Sequence, residues 1–353
     1  MAALIVRLFV WFLLLLLLFH LASNIFVGQD APPSKRSLKT VERRFLNPTQ
    51  IDDVKHRAEK NEPEAQFLLG LLYRDGGLPG GRNSFQALMW LRKAANQDHT
   101  AAEVALADAY AVGAGATQDY AEATRWYTKA AQQGDPIAAY DLGDHYYLGL
   151  GVPRSYSHAF EWFTTAARKG LAEAQCMVGF MYRSGQGVHQ DFAEAVKFQR
   201  AAAEQGLAKA QAELGTMYLD GEGVHKDLAE GLRWISKAAQ QDDAGAQNNV
   251  GYFYKTGTGV EKDYREALHW LNAAAEQGNA AAQANLADMY ANGHGVPLDY
   301  VEAYKWLTLA AEQKFRLAID GQRKLSEIMT KRQVSVAQAR VSAWLQQHGP
   351  AQQ

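Results

Sequence analysis

The sequence is poor in residues that usually carry covalent or metal chemistry. Among its 353 residues there is one cysteine, Cys176, so an intramolecular disulfide and a thiolate metal site are both excluded. Neither sign of charge dominates, because 36 Lys and Arg face 38 Asp and Glu. Without an excess of positive charge there is no reason to expect nucleic acid as a partner. Proline is scarce, with 9 residues, whereas the 30 glycines recur at regular intervals and indicate a repeat architecture.

A long hydrophobic run occurs at the amino terminus. Residues 8–19 read LFVWFLLLLLLF, and weaker apolar sequence continues to Val27, which gives about 20 residues, enough for one membrane-spanning helix. A cleaved signal peptide is the alternative, because Arg7 precedes a short apolar core, although residues 21–28 offer poor small-residue cleavage sites. A buried helix of the globular part is disfavoured, because the run is not amphipathic. We therefore predict that residues 1–28 are a transmembrane anchor or a signal sequence.

The segment that follows, residues 29–46, is polar and basic, contains Pro32-Pro33, and is predicted to be a flexible linker. Its five Lys and Arg would keep the rest of the chain in the cytoplasm under the positive-inside rule. A signal-anchor arrangement, with the short amino-terminal tail inside, would export it instead. Both orientations stay open at this stage, and cleavage would give a secreted or periplasmic protein.

Seven tandem units of about 36 residues follow, here called repeats one to seven. Each repeat has a tyrosine, a later Trp or Phe, and a tiny residue three positions before the tyrosine. The tyrosines are Tyr73, Tyr110, Tyr146, Tyr182, Tyr218, Tyr254 and Tyr290. The later aromatics are Trp90, Trp126, Trp162, Phe198, Trp234, Trp270 and Trp306, and the tiny residues are Gly70, Ala107, Gly143, Gly179, Gly215, Gly251 and Ala287. Helical spacing around these positions predicts two closely packed helices per repeat, helix A with the tyrosine and helix B with the Trp or Phe.

Helix boundaries are marked by capping residues. Each helix B is preceded by a good N-cap, and in six of the seven a Gln or Glu stands three residues later, which predicts capping boxes. The N-caps are Asn83, Asp119, Ser155, Asp191, Asp227, Asp263 and Asp299. Residues 47–62 match half a repeat and are predicted to form an amino-terminal capping helix. The array proper covers residues 63–313, and residues 314–353 are predicted to form a carboxyl-terminal helical cap, with helices near 317–328 and 331–347.

The repeated pattern A-x-x-x-L-G-x-x-Y-x-x-G-x-G-V-x-x-D-x-x-x-A-x-x-W-x-x-x-A-A-x-x-G resembles the Sel1-like repeat, a relative of the tetratricopeptide repeat. The resemblance implies an all-α, right-handed superhelical solenoid of seven Sel1-like helix-turn-helix repeats with capping helices at both ends, preceded here by one hydrophobic membrane helix. It also implies a non-enzymatic adaptor, and the carboxyl-terminal helix is similar to that of bacterial members. We therefore expect a scaffold for protein partners, tethered to a membrane, most simply the bacterial inner membrane. Some secreted members are rich in paired cysteines, which this chain lacks.

Partner segments are expected in a concave groove lined by helices A, by analogy with tetratricopeptide repeats. The variable positions lie two before and one after the tiny residue. The candidate groove residues are Asp108, Asp141, Asp144, Phe180, Glu213, Thr216, Asn249, Tyr252, Asn285 and Asp288. Asn249 and Asn285 match positions where related repeats hydrogen-bond an extended peptide, because an Asn side chain both donates and accepts. Ordinary surface variation explains the same pattern, so both interpretations stay open.

Other motifs favour structure over chemistry. The Gly-x-Gly loops are not preceded by a strand or followed by Lys-Ser/Thr, so they are interpreted as helix ends rather than nucleotide sites. His189 and His225 are interpreted as solvated loop residues, and Cys176 as a small hydrophobe. No catalytic triad or HExxH motif occurs. We therefore predict no enzyme activity, no cofactor and no metal.

Two alternatives concern the partner. The tail after residue 313 is basic, which is typical of a solvated cap face but also suits an acidic partner or lipid head groups. An envelope polysaccharide or cell-wall assembly factor with glycan contact is the alternative to a scaffold for proteins.

Overall fold

The computed structural model describes residues 47–349, which form seventeen α-helices and no β-strand. In chain order the helices are α1 (Pro48–Glu59), α2 (Pro63–Asp75), α3 (Ser84–Ala95), α4 (Thr100–Val112), α5 (Tyr120–Gln132), α6 (Pro136–Leu148), α7 (Tyr156–Arg168), α8 (Ala172–Ser184), α9 (Phe192–Glu204), α10 (Ala208–Asp220), α11 (Leu228–Ala239), α12 (Ala244–Thr256), α13 (Tyr264–Glu276), α14 (Ala280–Asn292), α15 (Tyr300–Glu312), α16 (Arg316–Ile328) and α17 (Lys331–His348). The predicted membrane segment and linker, residues 1–46, lie outside the described residues. Between residues 47 and 349, no helix has the length and apolarity needed to cross a membrane.

These residues divide into two compact units, residues 47–99 with 108–119 and residues 100–107 with 120–349. In the smaller unit, α2 packs against both α1 and α3. In the larger unit, each helix A from α6 onward packs against the helix B before it and, up to α14, against the helix B after it. The fold is therefore an all-α solenoid of helix pairs, as the sequence predicts. Its right-handed superhelical sense stays a prediction.

Each helix B begins in the same small hydrogen-bond network. In repeat five the Oδ1 atom of Asp227 accepts the N–H of Glu230 at 3.0 Å, which caps the helix. The N–H of Asp227 itself donates to the carbonyl oxygen of Tyr218 at 2.9 Å, and the equivalent bond occurs in all seven repeats. The tyrosine position thus fixes where helix B starts relative to helix A.

This bond corrects the prediction of capping boxes in helix B. A capping box needs the N-cap N–H as the donor to the side chain three residues later, but here that N–H is already bound to the tyrosine carbonyl. Among the described residues, reciprocal boxes form instead at α1, between Asn47 and Gln50, and at α17, between Thr330 and Gln333. The glutamate three residues after the N-cap has other partners. In repeat five, the carboxylate of Glu230 accepts the indole N–H of Trp234 at 2.7 Å.

Left-handed residues follow the helices as the sequence predicts. Gly221 ends helix A of repeat five at a φ of +78°, and its N–H donates to the carbonyl of Met217. After helix B the left-handed residues are Asp98, Gly134, Gly170, Gly206, Asp242, Gly278 and Lys314. The second glycine of each Gly-x-Gly loop is required for a different reason. A Cβ atom at Gly187 or Gly223 would collide with the backbone of the first residue of the preceding helix B. Packing therefore accounts for the glycine-rich loops.

Helices A and B touch at the tiny residue before each tyrosine. A Cβ atom on Gly215 would lie 2.5 Å from Ile235 Cγ1 and 2.7 Å from the carbonyl oxygen of Gly231. Gly143 approaches Phe163 in the same way. The large partner is the residue directly after the Trp or Phe of helix B, so that residue becomes the interior side chain of the pair. A larger side chain in helix A would have to push the two helices apart.

Buried glutamines join successive repeats, a feature that the sequence analysis did not identify. In repeat six, Gln247 Nε2 donates to the carbonyl oxygen of Ala239, at the end of the preceding helix B, at 3.2 Å. Its Oε1 accepts a hydrogen bond from Gln277 Nε2, at the end of its own helix B, at 2.8 Å. One side chain therefore ties together three helix ends from two repeats.

The same arrangement recurs along the array. The corresponding pairs are Gln66 with Gln97, Gln175 with Gln205, Gln211 with Gln241, and Gln283 with Gln313. Repeat two has Glu103 with Gln133, at 2.8 Å. Repeat three has Ala139 and Lys169 at these positions, so both members of the pair are replaced together. The link is thus a property of the pair rather than of either residue.

A buried histidine occupies a core position in repeat three. His145 is 5% exposed and stands where other repeats have Met181, Met217 and Met289. Its Nδ1 lies 2.6 Å from Thr124 Oγ1, and its ring meets that of Tyr127 edge-on. Burial lowers the pKa of His145 to about 4.

Helices at both ends of the described chain cover the repeats. Helix α1 buries Ile51 and Val54, and α17 buries Ala337, Val341 and Trp344. Helix α17 packs against α15 rather than pairing with α16 as a helix B would. It therefore folds back over a helix B and does not extend the array.

We expect His145 to make the fold less stable in acid. Between pH 6.5 and about 4 the unfolded chain binds a proton at His145 that the folded chain does not bind. The free energy of unfolding should therefore fall as the pH decreases through this window, by up to about 3 kcal/mol. His145→Met should remove this dependence, measured by urea unfolding at pH 7 and pH 5 with circular dichroism. The exposed His189→Met is the control, and an unchanged pH dependence in His145→Met would contradict the assignment.

We also expect Gln247→Ala to lower the free energy of unfolding by about 2 kcal/mol, because it removes two hydrogen bonds of a buried side chain, one to the carbonyl of Ala239 and one from Gln277. Gln132→Ala, an exposed glutamine at the end of α5, should change it by less than about 0.5 kcal/mol. Urea unfolding measures both, and hydrogen exchange should place the loss of protection in repeats five and six. Equal effects of the two substitutions would show that the glutamine link does not stabilise the array.

Candidate functional site

The ten candidate groove residues all lie on helices A. Asp108 belongs to the smaller unit, and the other nine lie in the larger one. Asp141 is buried, and the remaining nine are partly buried. Two groups of these residues are linked by hydrogen bonds and ion pairs.

The first group surrounds Lys255, a residue that the sequence analysis missed. Its side chain is 9% exposed, and its Nζ lies 2.7 Å from Asp288 Oδ2. The same ammonium donates to Asn285 Oδ1 at 3.2 Å. Burial, followed by the charge of Asp288, raises the pKa of Tyr252. The structure therefore brings Asn285 and Asp288 together around one cation, with Tyr252 close enough to Asp288 to feel its charge.

A chain of amides continues from this cation. Asn285 Nδ2 donates to Asn248 Oδ1 at 3.0 Å, and Asn248 Nδ2 donates to Asn249 Oδ1 at 3.3 Å. The Nδ2 donors of Asn249 bond to no group within residues 47–349, so they keep their capacity for a ligand. Asn249 and Asn285 thus belong to one connected network that spans repeats six and seven.

The second group surrounds Arg183. Its Nη1 lies 2.8 Å from Glu213 Oε2, and its Nε lies 2.7 Å from Glu222 Oε2. The guanidinium therefore bridges helix α8 to α10 and to the loop after it. Thr216, one turn further along α10, donates its hydroxyl to the carbonyl of Ala212 at 3.0 Å.

Aromatic side chains lie near the acidic positions of repeat three. The Tyr147 ring packs against Tyr156 with centroids 5.1 Å apart, and its hydroxyl donates to Gln186 Oε1 at 2.8 Å. Burial, followed by the charges of its neighbours, raises the pKa of Tyr147, and Asp144 is among those neighbours. Phe180, in the next repeat, is partly buried.

The missed residues share one position. Tyr147, Arg183 and Lys255 each directly follow the tyrosine of their repeat, four residues after the tiny residue. That position lies three residues beyond the second candidate groove position, so it falls on the same helical face. Helical spacing alone would have found it.

Cys176, His189 and His225 were considered as reactive or metal-binding residues in the sequence. Cys176 is 3% exposed, and burial raises the pKa of its thiol to about 11, so the thiol is protonated at neutral pH. His189 and His225 are exposed, and each has its Nδ1 3.0 Å from the carbonyl of the next residue. Residues 47–349 contain no group of three or more His, Cys, Asp or Glu side chains that could hold a metal ion.

Comparison with known proteins agrees with the repeat frame. The Sel1 repeat family model matches seven consecutive segments, residues 63–99, 100–135, 136–171, 172–207, 208–243, 244–279 and 280–315. A crystal structure of a Sel1 repeat protein from Oxalobacter formigenes is 33% identical, with a TM-score of 0.67 over 78% of this chain and 80% of that one. The protective antigen c5321 of uropathogenic Escherichia coli, which displays an SLR fold, is 26% identical, with a TM-score of 0.56 over 85% of this chain and 80% of that one. A search of curated proteins found no match.

Proposed function

This chain belongs to the Sel1 repeat family, whose members are generally protein-interaction scaffolds, and from that premise we propose that it is a membrane-tethered, non-enzymatic scaffold. Its ligands are extended segments of protein partners, bound along the helix A face of the repeats. The tether is the hydrophobic segment of residues 1–28, in the bacterial inner membrane.

The observation that carries the proposal is the network around Lys255. Two side chains that could bind a peptide, Asn249 and Asn285, are held in place by hydrogen bonds to Asn248 and Lys255. Side chains that are already fixed lose little conformational entropy when a ligand binds, which favours affinity. The free amide donors of Asn249 suit a peptide carbonyl oxygen.

A second contact is proposed at the basic carboxyl-terminal cap. Residues 314–349 contain seven Lys and Arg against two Asp and Glu. Arg340 is paired with Glu302 and Arg323 with Asp320, whereas Lys331 and Arg332 are exposed at the start of α17. This excess of positive charge supports an acidic partner segment or lipid head groups at the cap.

The groove is tested with a photo-crosslinking amino acid in place of Tyr252. In cells it should form adducts with partner proteins, whereas the same amino acid in place of the exposed His269 on helix B should not. Asn249→Ala should lower the adduct yield about tenfold, because a peptide carbonyl loses its donor. Asn272→Ala, which removes a partly buried Asn from helix B, is the matched control. Glycan adducts would favour the envelope-polymer alternative, and equal yields from Tyr252 and His269 would contradict groove binding.

The tether is tested by fractionation. The full chain should sediment with membranes and resist carbonate extraction, because about 20 apolar residues insert stably into a bilayer. A chain that begins at residue 47 should stay in the soluble fraction. A reporter enzyme inserted after residue 46 then shows on which side of the membrane the repeats lie. Release of the full chain by carbonate would contradict a membrane-spanning tether.

A further inference from the structure

Helix α17 shows how a helix binds to the helix B face of this array. Its Arg340 reaches the start of α15, where Nη1 lies 2.7 Å from Glu302 Oε2 and 3.7 Å from Asp299 Oδ2. Asp299 is the N-cap of α15, and Glu302 stands in its first turn. Arg340 therefore forms ion pairs with two carboxylates at the start of helix B, both at positions that are repeated along the array.

Four residues later, Trp344 completes the contact with two helices B at once. Its ring meets that of Trp306 edge-to-face, with centroids 6.4 Å apart and planes at 69°. Its indole N–H donates to Glu276 Oε2, at the end of α13, at 2.7 Å. His348, another four residues along, lies 3.1 Å from the same carboxylate oxygen. Arg340, Trp344 and His348 thus form one stripe of α17, at a spacing of four residues.

The first-turn glutamate has different partners in repeats five and seven. In repeat five the indole N–H of Trp234 donates to Glu230, in the first turn of the same helix, at 2.7 Å. In repeat seven the equivalent Glu302 pairs with Lys305 and Arg340, and the buried Trp306 Nε1 has no hydrogen-bond partner within residues 47–349.

The receptor for α17 consists of four side chains from two neighbouring helices B: Asp299, Glu302 and Trp306 from α15, with Glu276 from α13. Two repeats earlier the same four residue types recur, as Asp227, Glu230 and Trp234 in α11 with Glu204 in α9. No other repeat has the full set. The position of Glu276 is occupied by Lys60, Asn96, Gln132, Arg168 and Gln240 when the receptor is aligned to repeats one, two, three, four and six.

The matching oxygen atoms are open in repeat five. Glu230 uses Oε1 for Arg233 and Trp234, and Asp227 uses Oδ1 to cap its helix. Glu230 Oε2, Asp227 Oδ2 and the exposed Glu204 carboxylate accept no hydrogen bond from any of residues 47–349. The hydrogen bond from Arg233 lowers the pKa of Glu230, so this carboxylate is charged at neutral pH.

We propose that the helix B face of repeats four and five, formed by Glu204, Asp227, Glu230 and Trp234, binds an α-helix of a protein partner that carries an Arg and a Trp four residues apart. The Arg pairs with Glu230 and Asp227, as Arg340 does with their equivalents. The indole of the Trp donates to Glu204 and meets only the small exposed part of Trp234, which is 6% exposed. This surface is separate from the helix A groove, and the proposal does not depend on groove binding.

One difference between the two receptors favours a separate partner over a second copy of this chain. Lys237 Nζ stands 3.9 Å from the Trp234 ring centre, at the position that Leu309 occupies in repeat seven. A helix that matches repeat five therefore faces an ammonium where α17 faces a buried leucine, and an acidic side chain suits it there. A second copy would also have to release α17 from its own site, where Trp344 is buried.

The test uses a fluorescent peptide of residues 331–349 as the probe and the full chain as the receptor, with binding followed by anisotropy. Glu204→Gln should weaken binding about tenfold, because the indole loses its charged acceptor. Glu312→Gln is the matched control, since Glu312 is exposed and stands at the same position at the end of α15. A peptide with Arg340→Gln should also bind about tenfold more weakly, whereas Arg332→Gln in the peptide should change little.

Several results would overturn the proposal. The first is that the peptide does not bind the full chain, or that Glu204→Gln and Glu312→Gln weaken peptide binding equally. The second is binding that requires Glu276 but not Glu204, which would mean that the peptide replaces α17 in repeat seven. The third is self-association of the full chain, seen by sedimentation and abolished by Glu204→Gln, which would identify a second copy as the occupant. Asn249→Ala should leave peptide binding unchanged, so this test and the groove test fail independently.

Discussion

The backbones of helix A and helix B approach most closely at the tiny residue before each tyrosine, and the rest of the repeat is arranged around this contact. At Gly215 a single added carbon would collide both with Ile235 and with the carbonyl oxygen of Gly231. Because Ile235 fills this contact, the neighbouring Trp234 lies on another side of helix B, in an apolar cluster with Val196 and Met217, and its indole N–H donates to Glu230. The close approach also brings the tyrosine carbonyl of helix A within reach of the N-cap of helix B. One steric constraint therefore sets the helix start and the residue that lies between helices A and B.

Contacts between repeats combine apolar packing with a polar link. Leu232 and Ile235 of repeat five share one apolar cluster with Ala246 and Val250 of repeat six. Between the same two repeats, the buried Gln247 donates to the carbonyl oxygen of Ala239, which also accepts the N–H of Asp242. The glutamine link therefore adds a second hydrogen bond at the end of helix B. It also explains why repeat three loses both members of the pair together, since either residue alone would lack its main partner.

Partners are proposed on two faces of the repeats, one formed by helices A and one by helices B. Each face carries a different set of side chains. On helices A, charged and amide side chains such as Lys255 and Asn285 are tied to one another across repeats, which gives a fixed polar surface. On helix B of repeat five, Asp227 Oδ2 and Glu230 Oε2 accept no hydrogen bond from residues 47–349. Helix α17 already uses this second surface in repeat seven, through Arg340 and Trp344. We have proposed an extended segment as the ligand of the first face and a helix as the ligand of the second.

The sequence by itself determined the periodic features: the seven repeats, the helix pairs, the N-caps and the glycines that end helices A. These follow from local rules, because capping and helical spacing depend on residues a few positions apart. Contacts between residues about 30 positions apart were decided only by the tertiary structure. Arg183 with Glu213 and Gln247 with Gln277 are of this type, and each residue alone is compatible with a solvated surface. The reciprocal capping boxes failed for the same reason, because the N–H that they require is claimed by a tyrosine carbonyl from the neighbouring helix. The membrane segment, by contrast, rests on the sequence alone, since it lies outside the described residues.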